Sequence, residues 1–212
     1  MVSRYQQLIG ILRWACELGR LDILTEVAMM SQYQASPRTG HLEALYLIFH
    51  HLAKNPFKHS VMDASVPQVD ESVFNQDADW VEFYGNVEEE DPPHMPVPLG
   101  KPVVISAFVD ADHAGNVITR RSHTGIIIFV NNTQIVSYSK RQNTVEASTF
   151  GLELVAMRIG RDFVVALRIK LKMFGVPIYG AADSSVILWG LSRIQAYQNL
   201  HSPRNIIVFH II

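Results

Sequence analysis

An α/β fold is predicted for the second half of this chain, behind a shorter helical segment, and three observations carry that prediction. Three apolar runs rich in β-branched residues, VVISAFV, TGIIIFV and TQIVSYS, follow one another within residues 103–139. The connections between them, 111–123 and Asn131-Asn132, are too short for parallel crossovers, so an antiparallel meander is the economical topology. A long helical pattern over 146–174 follows, as a layer able to cover one face of such a sheet.

Taken in order, the chain begins with helical spacing. Leu8, Ile11, Leu12 and Cys16 share a face over residues 4–18, and Gly19 suits the C′ position that ends a helix. Asp22 is placed to N-cap a second helix carrying Leu24, Val27 and Met30, and Ala35–Gly40 reads as a turn. A third helix, His41 to about Lys54, sets Leu42, Leu45, Ile48, Phe49 and Leu52 on one face, and Asn55-Pro56 stops it. Three such helices form a thin core. His50-His51 point apart on a helix and read as structural or solvated.

Residues 57–101 change character. Between 57 and 102 two lysines face ten acids, and prolines stand at 92, 93, 96 and 98. The stretch reads as a linker between a helical segment, 1–56, and an α/β domain, 102–212, with Trp80, Phe83 and Tyr84 anchoring it to a neighbour. From 103 onward eleven Lys and Arg face six acids, although the whole chain carries a net charge of only -2. A basic block of this kind suits an anionic partner. The single cysteine, Cys16, excludes a disulfide framework and a thiolate metal cluster. The polar start MVSRYQQ lacks the apolar region of a signal peptide, and no run has the length to cross a bilayer. An intracellular protein without membrane contact is expected.

The first strand ends on a carboxylate pair, Asp110 and Asp112, and Glu153 lies on the apolar face of the long helix with Phe150, Met157, Gly160, Val164 and Leu167. A carboxylate at a strand end and another on the next helix can share one divalent cation. The plainer alternative is a solvated turn before Ala-Gly, but a buried carboxylate still demands a partner. Beyond the helix, Gly175–Gly180 reads as a turn into a short strand followed by Asp183. Residues 184–200 are weakly helical, and the tail NIIVFHII is strand-like by composition.

Four stretches of the chain resemble the polyprotein of copia-type retrotransposons. They are QLIGILRWACELGRLDILTEV, PRTGHLEAL, FVDADHAGNVITRRSHTGIIIF and YSKRQNTVEASTFGLELVAM, and they span most of residues 4–174. The last two are specific to that family's ribonuclease H segment. The resemblance implies a ribonuclease H-like mixed sheet of five strands, the first three antiparallel, with flanking helices, preceded by the end of a reverse transcriptase. It implies Mg²⁺-dependent cleavage of RNA in RNA–DNA hybrids, with Asp110 and Glu153 as catalytic metal ligands and Arg120, Arg121, Lys140 and Arg141 on the phosphates. Asp183 stands nearest the third family carboxylate. However, alignment on Ser185-Val186 puts that position on Ala182, and Gly175–Gly180 is shorter than its family counterpart. By the same resemblance, Asn205 and His210 fall on a helix. The fourth carboxylate would lie past Ile212 and the polymerase site before Met1. The expectation is therefore a fragment, a remnant lacking its neighbouring polyprotein segments and inactive as it stands. The alternative is a non-catalytic nucleic-acid-binding or inert retrotransposon-derived protein.

Overall fold

The computed structural model describes residues 2–67, 92–112, 115–116 and 119–178, and the backbone of 207–211. Helix α1 (Val2–Glu17) buries Tyr5, Ile9, Leu12 and Cys16. This stripe is rotated from the expected one: Ile11 is exposed and Leu8 only partly buried. The rotation lets the Tyr5 hydroxyl enter the core and donate to the Met30 carbonyl at 2.9 Å, which satisfies a polar group that burial would otherwise penalise. Gly19 ends the helix as expected. Its φ of +104° is a conformation that a side chain disfavours. From there Gly19 N–H donates to Cys16 and Arg20 N–H to Ala15, closing the paired bonds of a Schellman cap.

The expected N-cap role of Asp22 does not form. Asp22 sits inside a short 3₁₀ turn (Leu21–Ile23), and Ile23 takes the cap position of α2 (Leu24–Ser31). The Asp22 carboxylate instead receives the Arg20 guanidinium through two 3.0 Å bonds and His51 Nε2 at 2.8 Å. These donors, Arg20 foremost, hold its carboxyl far below the usual aspartate range. Helix α3 (Thr39–Lys54) adds Leu45 and Ile48 to the core of the helical block, and Asn55 closes it onto the His51 carbonyl.

Beyond α3 the chain crosses to the sheet. Ser60 donates to the Gly19 carbonyl, and residues 63–65 then strap onto the turn between two strands. Asp63 N–H donates to Thr133 Oγ1, Thr133 donates back to the Asp63 carbonyl, and Asn131 and Asn132 donate to Ala64 and Ser65. The aromatic triplet Trp80, Phe83 and Tyr84 lies outside the described residues.

The second block is mixed α/β with an antiparallel sheet. Strands β1 (Ile105–Ala111), β2 (His123–Val130) and β3 (Thr133–Arg141) form the expected meander, and β4 (Ile207–Ile211) lies on the other side of β1, giving the order β3-β2-β1-β4. All three ladders are antiparallel. The helix expected for the tail on resemblance is replaced by this fourth strand. Its run Ile-Val-Phe-His-Ile is β-branched and aromatic. Against Ile105–Val109 it pairs backbone groups on an edge of β1 that would otherwise be left unpaired. A parallel component is confined, among the described residues, to one bridge between Val103 and Ile178.

Helix α4 (Thr149–Met173) covers one face of the sheet, with Ser148 Oγ accepting the Gly151 N–H as its N-cap. Ala156 and Val164 meet Ile105, Ala107, Val109, Ile126 and Ile128 in the core. Gly160 is the closest approach: a Cβ there would stand 2.7 Å from a Val109 methyl. Phe150, expected on the apolar face, is exposed, whereas Arg168 is buried. No helix among the described residues is long and apolar enough to cross a membrane.

Candidate functional site

The meander brings Asp110, Arg120, Arg121, Lys140 and Arg141 to one end of the sheet. In register, Asp110 stands opposite Gly125 and Ser139, and Ala111 opposite Thr124 and Lys140, while His123 pairs with Arg141. Arg120 and Arg121 lie on the turn just before β2, in a loop closed by the bonds Asn116 N–H to the Arg121 carbonyl and Arg120 N–H to the Asn116 carbonyl. All four basic residues singled out in the sequence thus share an end with the first-strand carboxylates. None of the four is fully buried.

Glu153 enters from α4, and one residue that sequence reasoning passed over directs it there. The Gln142 amide, buried at the end of β3, donates to Thr124 Oγ1 at 3.0 Å and to the Leu152 carbonyl at 3.1 Å. The first turn of α4 is thereby tied to β2 next to Glu153. The string SKRQ was visible, but nothing local separates this glutamine from a solvated one.

Glu153 is only 5% exposed, and its Oε2 has no hydrogen-bond partner. Its pKa is raised to about 7: burial is the largest cause, the charge of Asp110 adds to it, and the Ala111 N–H partly opposes both. Asp110 is exposed yet half-surrounded by protein, and that partial loss of solvent lifts its carboxyl above the ordinary value. The Ala111 N–H opposes this shift and the charge of Asp112 adds to it. Two carboxylates on two elements therefore feel each other and compete for one backbone N–H. Because the Asp112 N–H is bonded to His123 on β2, strand alternation turns the Ala111 N–H to the opposite edge, past the last β4 pair, Val109 with Ile207.

Asp112 does not join this pair as a ligand. Its carboxylate accepts the His123 N–H and lies 3.8 Å from His123 Nδ1. That is the satisfied turn which the plainer reading of the Asp pair anticipates. Asp183 falls outside the described residues. Among the described residues no group of three or more His, Cys, Asp or Glu gathers as a metal site. The pair Asp110 and Glu153 is a fitting donor set for one hard divalent cation: two oxygen ligands, mutually repelling, with a buried oxygen left unbonded.

A further junction was not foreseen. Gln32, just past the end of α2, meets three groups from this end of the sheet. Its Nε2 lies 2.9 Å from His123 Nε2, and its Oε1 accepts from Asn116 Nδ2 and Arg141 Nη1, each at 3.0 Å. Comparison with known proteins returned no matching family model, curated protein or solved structure.

Proposed function

We propose that this end of the sheet is an incomplete ribonuclease H-like centre of retrotransposon type, which binds RNA–DNA hybrid and one Mg²⁺ without turning the substrate over. The observation that supports the reading is the buried Glu153 carboxyl set against Asp110. A charge in such a place is costly unless a cation or proton neutralises it, and the pair stands at the edge of a basic rim. In this reading Asp110 and Glu153 hold the ion, with Asp183 as the third ligand by resemblance. Arg120, Arg121, Lys140 and Arg141 hold phosphates on either side. When bound, Mg²⁺ neutralises charge on the phosphate and polarises a water. Cleavage by the two-metal route needs further carboxylates to fix a second ion about 4 Å from the first, and Asp110 with Glu153 supply ligands for one.

The test is hybrid binding and cleavage by the 212-residue protein in Mg²⁺. Four phosphate contacts give a slope of roughly -3.6 in log K against log salt, so affinity should fall about a hundredfold between 50 and 200 mM salt. No cleavage product is expected, nor from Ala182→Asp. Binding insensitive to salt would remove the basic rim from the proposal. Mg²⁺-dependent cleavage that Asp110→Asn abolishes would overturn the proposed lack of turnover.

A further inference from the structure

We infer that Gln32 is a positioning residue for Arg141, so that the helical block contributes directly to the nucleic-acid-binding end of the sheet. This inference rests on the hybrid-binding reading above. The orientation of the Gln32 amide follows from its partners. A guanidinium can only donate, so the Gln32 atom 3.0 Å from Arg141 Nη1 must be the carbonyl oxygen. The Asn116 amide reaches the same oxygen at 3.0 Å. The Gln32 NH₂ then points to His123 Nε2, which must accept and so leaves the ring proton on Nδ1, the side of Asp112. A flipped amide would set N–H against N–H at Arg141 and leave two donors without an acceptor.

One side chain from outside the sheet thus joins the β1–β2 turn, the start of β2 and the end of β3. The consequence for binding is entropic. An arginine has much rotamer freedom to lose when it grips a phosphate. Arg141 has already lost part of it through Nη1, and a guanidinium carries further N–H donors with which to meet a ligand. Asn116, held by the same oxygen, closes the loop that carries Arg120 and Arg121. Gln32 therefore pre-forms the rim rather than touching the hybrid.

The experiment is a double-mutant cycle on hybrid affinity with Gln32→Met and Arg141→Ala, each measured across salt. Methionine keeps the shape of the glutamine side chain but offers Arg141 no carbonyl, and thermal unfolding of each variant checks that the fold persists. Gln32→Met is expected to weaken binding about three- to tenfold and to lower the salt slope by up to about 0.9, the share of one phosphate contact. In the Arg141→Ala background it should add little. A purely structural role would instead weaken both backgrounds equally and leave the slope intact, and that result would overturn the inference. So would unchanged binding by Gln32→Met alongside impaired binding by Arg141→Ala, in which case the hybrid-binding reading survives. Failure of the unsubstituted protein to bind hybrid would remove both. Should Gln32→Met fail to fold, Gln32→Asn, with the same amide on a shorter stem, carries the test. Its carbonyl falls short of the guanidinium, and the same non-additive loss is expected.

Discussion

Among single residues, Glu153 links the candidate site to stability. Its ordinary pKa is 4.5, and in the folded chain it stands at about 7, with burial the larger cause and Asp110 the second. Between these values the folded chain holds a proton that the unfolded chain has released. Stability therefore falls as pH rises from about 4.5 to about 7, then stays level. The cost at pH 8 is on the order of 1–3 kcal/mol. Glu153→Gln removes the charge and offers Asp110 a donor. In metal-free protein at pH 8 it should raise stability by that amount, while at pH 4 the two proteins unfold alike. Mg²⁺ should raise the melting temperature of the original protein and leave that of Glu153→Gln unmoved. Denaturation at both pH values, with and without Mg²⁺, checks the sign of each effect.

Among elements, the packing of α4 on β1 sets where Glu153 can be. Two turns separate Glu153 from Gly160, and the glycine lets the helix approach until a Cβ would be 2.7 Å from the Val109 methyl. Alanine at 160 gains about 1 kcal/mol of helix propensity. Overpacking against a strand commonly costs about 1–3 kcal/mol, so Gly160→Ala should be net destabilising by about 1 kcal/mol. In a Val109→Ala background, where the opposing methyl is gone, the same change should turn neutral or favourable. Chemical denaturation of the four proteins in the cycle decides it, and additivity would mean that the helix is not seated on Val109. The two ends of α4 are independently closed. Ser148 caps the start, and Gly175 and Val176 donate back to Lys172 and Leu171 at the other end.

At the scale of the whole molecule, two groups of hydrogen bonds among the described residues tie the first part of the chain to the sheet. One is Gln32 at the carboxylate end. The other is the strap of residues 63–65 on the turn at the far end of the β2–β3 hairpin, where the Thr133 hydroxyl both accepts from and donates to Asp63. Thr133→Val removes both bonds at an exposed site. It should cost about 1 kcal/mol, or roughly 2–4 °C in melting temperature for a chain of this size. Hydrogen exchange over residues 60–67 should quicken more than exchange in the sheet. Uniform protection in the variant would mean that the strap is held by something other than Thr133.

Periodicity and turn chemistry are local, and they carried far. The meander, the long helix, the Gly19 cap and the stop at Asn55-Pro56 were all legible, because each depends on a few neighbouring residues. The oddity of Glu153 was legible too, since a charge in an apolar stripe is visible without coordinates. The inward face of α1 was legible in part: Leu12 and Cys16 are buried as expected, but Tyr5 joins them because its acceptor, Met30, lies twenty-five residues away. Asp22 had cap chemistry, but an arginine and a histidine brought beside it offered stronger partners. The tail shows the same contest. Resemblance implied a helix there, and an unpaired edge of β1 made it a strand. Gln32 stands 91 residues from His123 and 109 from Arg141, and neither Gln32 nor Gln142 carries a local mark. Only tertiary structure could gather them, because a polar side chain takes its partner from whatever packing places within about 3 Å of it.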